Sequence, residues 1–337
     1  MTRTPVTHSN IRDVAQAAGV STATVSRVLG GVGYVSKKSR ESVEEAIQRL
    51  NYTPSQVARS LRKQRSPIIG LIITDIKNPY YPELVGGIED QLRKRAYSLI
   101  LCNTQDDSER EVNYLNFLLS QRADGIIICS TGLVRRHLNK LNAFGKNVVL
   151  VDVITNESNF PVIGSDGHEG GVLVGKHLVD CNYGEIVYLG CDLEKRDGSP
   201  RYSGLIAGCA GIPTHYFSVG NDFSSMSKVI TEIVSKVSTP FAVFAHNDII
   251  AIAAMHALKS RGLRIPEDVG IVGYDDISIA SLVSPELTTI KHFHEQLGAL
   301  AVETLEKLIF NNETAISKKI SPKLVIRSST ALLKKKK

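Results

Sequence analysis

The spacing of hydrophobic positions changes near residue 67 and divides the chain in two. In the first fifty residues the spacing is helical. Ile11, Val14, Ala15 and Ala18 stand at i, i+3, i+4, i+7, one face of a helix that Asn10 can cap. Gly19 stops that helix. Ser21 can cap a second one, in which Val25, Val28 and Leu29 form the apolar side while Arg27 and the small polar Thr22, Thr24 and Ser26 lie on other faces. After the turn Gly30-Gly31-Val32-Gly33, Ser36 can cap a third helix with the stripe Val43, Ala46, Ile47 and Leu50. Ser39 stands where a full capping box needs Glu or Gln. Three short helices with a glycine turn between the first two predict a helix-turn-helix unit.

From Pro67 onward, short β-branched runs alternate with amphipathic stretches. The runs are 68–74, 97–103, 125–130, 148–153, 185–190, 242–246 and 269–276; the stretches are Leu84 to Arg95, Glu109 to Gln121, Gly170 to Asp180, Ser225 to Lys236, Ile249 to Arg261 and Glu295 to Phe310. This alternation predicts βαβ units in parallel sheets covered by helices on both faces. The repeats are too many for one sheet of usual size, so the expected fold is an all-α headpiece followed by an α/β body of two doubly wound parallel-sheet lobes.

Composition sharpens this division. The 337 residues are 42% hydrophobic and carry a formal net charge of +6, which excludes a disordered or collagen-like chain. Even the apolar run from Ile68 to Ile76 is broken by Gly70, Thr74 and Asp75, well short of the ~18 residues that cross a bilayer. The first ten residues show no secretory h-region, and the expected compartment is the cytoplasm. The five cysteines are odd in number and lack CxxC spacing, which predicts buried thiols and no metal or disulfide. Residues 1–66 hold eleven basic side chains against four acidic ones, a charge of +7, so the rest of the chain is at −1. A basic head on a neutral body predicts that the head meets a polyanion. The terminal Lys334 to Lys337 reads as a solvated tail.

Two segments carry chemistry of that kind. A second helix entering the major groove N-terminus first would bring Thr22, Ala23 and Arg27 to base edges and Ser21 and Thr24 to phosphates. Arg can pair with guanine in a bidentate way, and the Thr and Ala methyls suit a thymine methyl. A plain helical hairpin with a polar face has the same pattern. The second segment, Ser55 to Arg62, is a short helical stretch with Leu61 between Arg59 and Arg62; such a helix is marginal alone, and a Leu wedge between base steps is a known minor-groove device.

These residues make the chain resemble the lactose-repressor (LacI/GalR) family of transcription regulators over nearly its whole length. The matching pieces include Ile11-Arg12-Asp13-Val14-Ala15, Ala18-Gly19-Val20-Ser21, Thr24-Val25-Ser26-Arg27-Val28-Leu29, Leu50-Asn51-Tyr52, Val57-Ala58-Arg59-Ser60-Leu61, Asn78-Pro79-Tyr80-Tyr81, Asn247-Asp248, Gly273-Tyr274-Asp275-Asp276 and Leu287-Thr288-Thr289-Ile290. The resemblance implies a headpiece at 1–53, a hinge helix and linker at 54–66, and a periplasmic-binding-protein-like effector and dimerisation domain at 67–333. Within that domain the N-lobe would take about 67–164 and 293–321, and the C-lobe about 165–290 and 322–333. It implies DNA contacts at Ser21, Thr22, Ala23, Thr24, Ser26 and Arg27, and in the hinge at Ser55, Val57, Ala58, Leu61 and Arg62. A small sugar-like effector between the lobes would meet aromatic walls from Tyr80 and Tyr81, an acceptor at Asp152, a long-armed donor at Arg201, a stacking surface at Phe223, and polar groups at Asn247 and Asp275.

Neighbouring polar residues read differently. Asp248 is expected to cap the following helix, Asp276 to orient backbone, and His292 and His294 to be ordinary interface histidines on an extended crossover. The segment Ser203 to Ile212 is shorter than the amphipathic helix and loop usual in the family, and Lys195-Arg196-Asp197-Gly198 adds positive charge near the cleft. The resulting expectation is a homodimeric repressor of a pseudo-palindromic operator, with a tetramer left open, no membrane partner, no metal and no cofactor. A two-lobed solute-binding protein lacks the basic head, and a sugar-metabolising enzyme would need a nucleophile, metal or phosphate-loop motif, so the chain is not expected to be an enzyme.

Overall fold

Asn10 accepts the backbone N–H groups of Arg12 and Asp13, while the Asp13 carboxylate accepts the Asn10 N–H; this reciprocal box starts α1 (Ile11–Ala18). Gly19 ends it in the left-handed conformation at φ 65°. Ser21 caps α2 (Thr22–Gly30) through the Thr24 N–H at 3.1 Å, and Ser36 caps α3 (Lys37–Arg49) through the Ser39 N–H at 3.2 Å. All three caps stand where the sequence predicts them. Val14, Ala15, Val25, Val43 and Ala46 form the small core, with Ile11, Val28, Leu29, Ile47 and Leu50 packed around it.

The computed structural model describes residues 9–31, 33–52, 66–145, 147–153, 155, 159–191, 198–220, 225–311 and 316–332. The expected hinge helix, with Ser55, Val57, Ala58, Leu61 and Arg62, lies outside them, as do Phe223, Lys195-Arg196-Asp197 and the Lys334–Lys337 tail. The chain divides into two units, Met1–Pro67 and Ile68–Lys337.

From Ser66 the chain runs β1 (Ser66–Ile73), α4 (Tyr80–Lys94), β2 (Ser98–Asn103), α5 (Ser108–Ser120), β3 (Ala123–Cys129), α6 (Thr131–Leu141), β4 (Val148–Val151), β5 (Val162–Ser165), α7 (Gly167–Asp180), β6 (Ile186–Cys191) and α8 (Pro200–Gly208). It continues with β7 (Thr214–Val219), α9 (Met226–Lys236), β8 (Phe241–Ala245), α10 (Asp248–Lys259), β9 (Val269–Asp275), β10 (Thr288–Lys291), α11 (His294–Asn311), β11 (Lys318–Ile320) and β12 (Lys323–Val325). Two six-stranded sheets result, in the orders β11-β5-β4-β3-β1-β2 and β12-β10-β9-β8-β6-β7. Within the second sheet every pair is parallel except that β12 runs antiparallel to β10, and in the first sheet β1–β2, β3–β4, β4–β5 and β5–β11 are parallel.

Strand alternation explains why these sheets are buried on both faces. In the second sheet Val187, Leu189, Val243, Ala245 and Ile271 enter one core layer, while Ile186, Tyr188, Ala242, Phe244, Val272 and Tyr274 enter another. Strands apolar on both faces appear as continuous runs, which is why seven of them are legible in the sequence.

The shortened segment after Arg201 keeps a helix. Pro200–Gly208 forms the nine-residue α8, capped by Ser199, and its glycines press on those of α7. A Cβ on Gly204 would lie 2.0 Å from the His168 carbonyl oxygen, and one on Gly171 would lie 2.1 Å from that of Arg201. The helices meet backbone to backbone, so a short helix suffices to cover the sheet and to bring Arg201 to the lobe boundary.

Candidate nucleic-acid interface and interlobe site

In the head, Ser21, Thr22, Ala23 and Arg27 are exposed, Thr24 and Ser26 are half-buried, and Val25 between them is wholly buried. One helix therefore anchors itself by Val25, with Val28 and Leu29 packed beside it, and presents the expected base-reading set to solvent. Ser21 and Thr24, expected to reach phosphates, are also bonded to each other, Oγ to Oγ1 at 3.0 Å, which stiffens the N-terminal turn that would enter a groove. Tyr34, in the turn before α3, is 91% exposed. Sequence reasoning passed over it. A lone tyrosine outside the helical stripes was the available signal, and on a basic unit such a ring suits contact with a sugar-phosphate backbone.

Within the body, the carboxyl ends of β4 and β9 bring acidic residues to the boundary between the lobes. Asp152 follows β4 at φ 50°, Asp275 ends β9 at φ 114° and Asp276 follows at φ 55°. Short polar side chains tolerate the left-handed region best, and strained backbone of this kind clusters at ligand sites. Asp152 accepts the Tyr80 hydroxyl on Oδ2 and the Ser165 N–H on Oδ1 at 3.1 Å. Tyr81 stands edge-on to Tyr80, with ring centroids 5.0 Å apart, and its hydroxyl donates to the Cys129 carbonyl at 3.5 Å. The Arg201 guanidinium lies 3.8 Å above the Tyr274 ring and donates to the His246 carbonyl.

His292 closes the group. Its Nδ1 is 3.6 Å from Asp152 and 3.8 Å from Asp275, between the ends of two strands from different sheets. Burial, against the attraction of Asp152, pushes the imidazole down to about 4, so it is neutral at physiological pH. Burial also pushes the Asp275 carboxyl well above the usual carboxylate range, although Arg201 pulls the other way. His294 pairs with Glu83 at 2.8 Å. Both histidines were expected as ordinary interface residues; they are buried, at 3% and 7% exposure, and belong to the site.

Two polar assignments are corrected. Asn247, expected to face a ligand, caps α10 by accepting the Ile250 N–H at 2.9 Å. Asp248, expected to be that cap, is fully buried and accepts the Ile277 N–H at 2.9 Å and the Thr289 hydroxyl at 2.5 Å. Asp276 forms an ion pair with Arg327 at 2.6 Å, and Arg327 in turn donates to the Leu287 carbonyl. The structure thus brings Tyr80, Tyr81, Asp152, Arg201 and Asp275 together with His292. Among the described residues no cluster of three or more His, Cys, Asp or Glu is arranged to hold a metal ion.

Comparison with known proteins matches residues 10–55 to bacterial regulatory proteins of the lacI family and residues 176–330 to a periplasmic binding protein-like domain. The transcriptional repressor PurR of Haemophilus influenzae (strain PittEE) is 34% identical over 334 residues, 95% of this chain and 98% of the relative. The chain belongs to the lacI family. This lacI-family regulator is 35% identical over 332 residues to the repressor PurR of Pasteurella multocida, covering 95% of the chain and 98% of the relative. Among solved structures, the lac repressor dimer bound to operator and the anti-inducer ONPF matches with TM-score 0.82 at 27% identity, over 96% of this chain and 99% of the other. A lacI-family regulator from Enterococcus faecium with bound ribose matches with TM-score 0.69 at 30% identity, over 79% and 100%. The protein is a DNA-binding transcriptional regulator with a two-lobed α/β body. No helix among the described residues is long and apolar enough to cross a membrane.

Proposed function

We propose that this regulator represses transcription from a pseudo-palindromic operator and that a neutral, hydroxyl-rich small molecule, a sugar or sugar derivative, controls it from the boundary between the lobes. The observation that carries the effector reading is Asp152 and Asp275 facing one another across His292. Carboxylates at facing strand ends accept hydroxyl donors, and the Tyr80-Tyr81 pair supplies apolar ring surface of the kind sugars stack on. Arg201 is already bonded to the His246 carbonyl and stacked on Tyr274, which favours a neutral ligand over an anionic one. The solved relatives bound to ribose and to D-xylulofuranose support the same class.

Self-association follows from exposed apolar surface. β2 is an edge strand with Leu101 40% exposed, Leu282 is 80% exposed, and Met226, Ile249, Ile252, Ala253 and Ala257 line an apolar hollow on the other lobe. A second copy covering such surfaces would set two heads on a twofold axis, the symmetry that a palindromic operator mirrors. An effector that changes the lobe arrangement need supply a coupling of only about 1–3 kcal/mol to alter operator affinity roughly 5- to 150-fold.

A thermal-shift screen of sugars followed by operator gel shifts tests the reading. Asp275→Ala should keep operator affinity and lose the ligand response. A normal response in that variant would move the effector elsewhere.

A further inference from the structure

We propose that Glu83 is a positioning residue of the effector site: it ties the helix that carries Tyr80 to the turn that follows Asp275, and so fixes the separation of two walls that come from different lobes. Glu83 lies on α4, which follows β1 of the first sheet, and Ser278 lies in the turn after β9 of the second. The Ser278 backbone N–H donates to Glu83 Oε1 at 3.0 Å, and Glu83 Oε2 meets His294 Nδ1 at 2.8 Å. One carboxylate thus serves a group from each side of the boundary.

Both ends of this bond are firmly held. On α4, Tyr80 stands three residues before Glu83, so the two side chains share a face, and the Tyr80 hydroxyl is fixed on Asp152. The helix also meets α11 nearly backbone to backbone: a Cβ on Gly87 would lie 2.9 Å from Cα of Glu295, and one on Gly298 would lie 2.9 Å from the backbone nitrogen of Ile88. On the other side, Asp276 is paired with Arg327 at 2.6 Å and the Ile277 N–H donates to buried Asp248 at 2.9 Å. A turn held by its own lobe at two successive residues offers the next N–H, that of Ser278, to the other lobe. The first N–H groups of a helical turn find no partner inside it, and Glu83 supplies one. Any movement of α4 against that turn therefore changes the distance from Tyr80 to Asp275. Walls held in place beforehand lower the ordering cost of binding, and Glu83 contributes this without touching the ligand.

The positioning role rests on the effector site proposed above, but the tie itself can be tested with neither sugar nor DNA. Glu83→Ala places a good helix former at a partly exposed position and should leave the fold intact. Ser278→Pro removes the donor at a position that suits proline, the first residue of its turn, behind Ile277 at φ −64° and ψ 154°. Hydrogen exchange of the full chain should show residues 276–283 and the facing peptide 78–88 about tenfold less protected in either variant, with β8 unchanged. Tenfold is near the low end for a hydrogen bond to a charged group, because the Glu83 side chain is 34% exposed. The double variant should lose no more than either single one, since both changes break the same bond. Unchanged protection, a loss confined to residue 278, or a double loss equal to the sum of the two would overturn the tie. In thermal melts with D-ribose and D-xylulose as probes, the sugar concentration for a half-maximal shift should rise about tenfold in both variants while the largest shift stays that of the wild type. Equal midpoints would overturn the positioning role. A wild type stabilised by neither sugar would sink the sugar reading and the positioning role with it, whereas exchange as expected would still support the tie.

Discussion

Arg27 shows how far a single residue could be read before the fold was known. Helical spacing put Val25 inside and Arg27 outside, and both stand so, because a helix that buries one residue must expose those on its far side. Arg27→Ala should lose ~1–3 kcal/mol of discrimination per half-site while keeping affinity for random DNA, as read by competitive gel shift; equal loss on both would refute base reading. Asp248 shows the opposite case. Whether it or Asn247 caps α10 depends on where the backbone turns helical, a matter of one residue that spacing does not resolve. Its burial lifts the carboxyl to about 7, above the ~3.9 of an unfolded chain. The folded state therefore holds this proton more tightly, and stability falls as the pH rises from about 4 to about 7, then levels off. The loss is on the order of 4 kcal/mol at full ionisation. Asp248→Asn should flatten that slope in melting experiments from pH 5 to 8.5, while losing about 1–3 kcal/mol overall because the two donors reach different carboxylate oxygens and the amide nitrogen that replaces one of them cannot accept. An unchanged slope would place the titration elsewhere.

At the scale of elements, legibility followed length and burial. The strands buried on both faces announce themselves as apolar runs, even the four-residue β4, whereas β5, β10, β11 and β12, with three or four residues that include polar ones, and the half-buried six-residue β7 produce no run. α8 was missed because its packing face is glycine, which carries no hydrophobic period. The same fact yields a matched test. Gly204→Ala would drive a methyl into the His168 carbonyl and should destabilise by about 1–3 kcal/mol or more. Gly86→Ala, on an exposed position of α4 with nothing within 4 Å of its Cβ, should stabilise by about 0.5–1 kcal/mol. Urea unfolding of the two variants would show shifts of opposite sign; like shifts would mean that α7 and α8 do not meet as described.

For the whole molecule, the +7 of residues 1–66 predicts that salt-dependent DNA affinity resides in the head. Residues 68–337 expressed alone should bind the sugar and ignore DNA, and the salt slope of full-length binding should fall by about one for each phosphate-contacting Lys or Arg removed from the head. A body that retained the slope would contradict this. By itself the sequence determined the helical head, the division near residue 67 and the two parallel α/β lobes, since these follow from local period, charge and strand length, while the expectation that Asp152 and Asp275 stand at the effector site came from the family resemblance. Only the tertiary structure decided that His292 and His294 belong to the site, that Asn247 rather than Asp248 caps α10, and that Glu83 reaches Ser278 across the lobes. These depend on approaches between segments up to about two hundred residues apart, such as Glu83 and Ser278, and on the loss of solvent when they meet. Neither distance nor dehydration is written in local spacing.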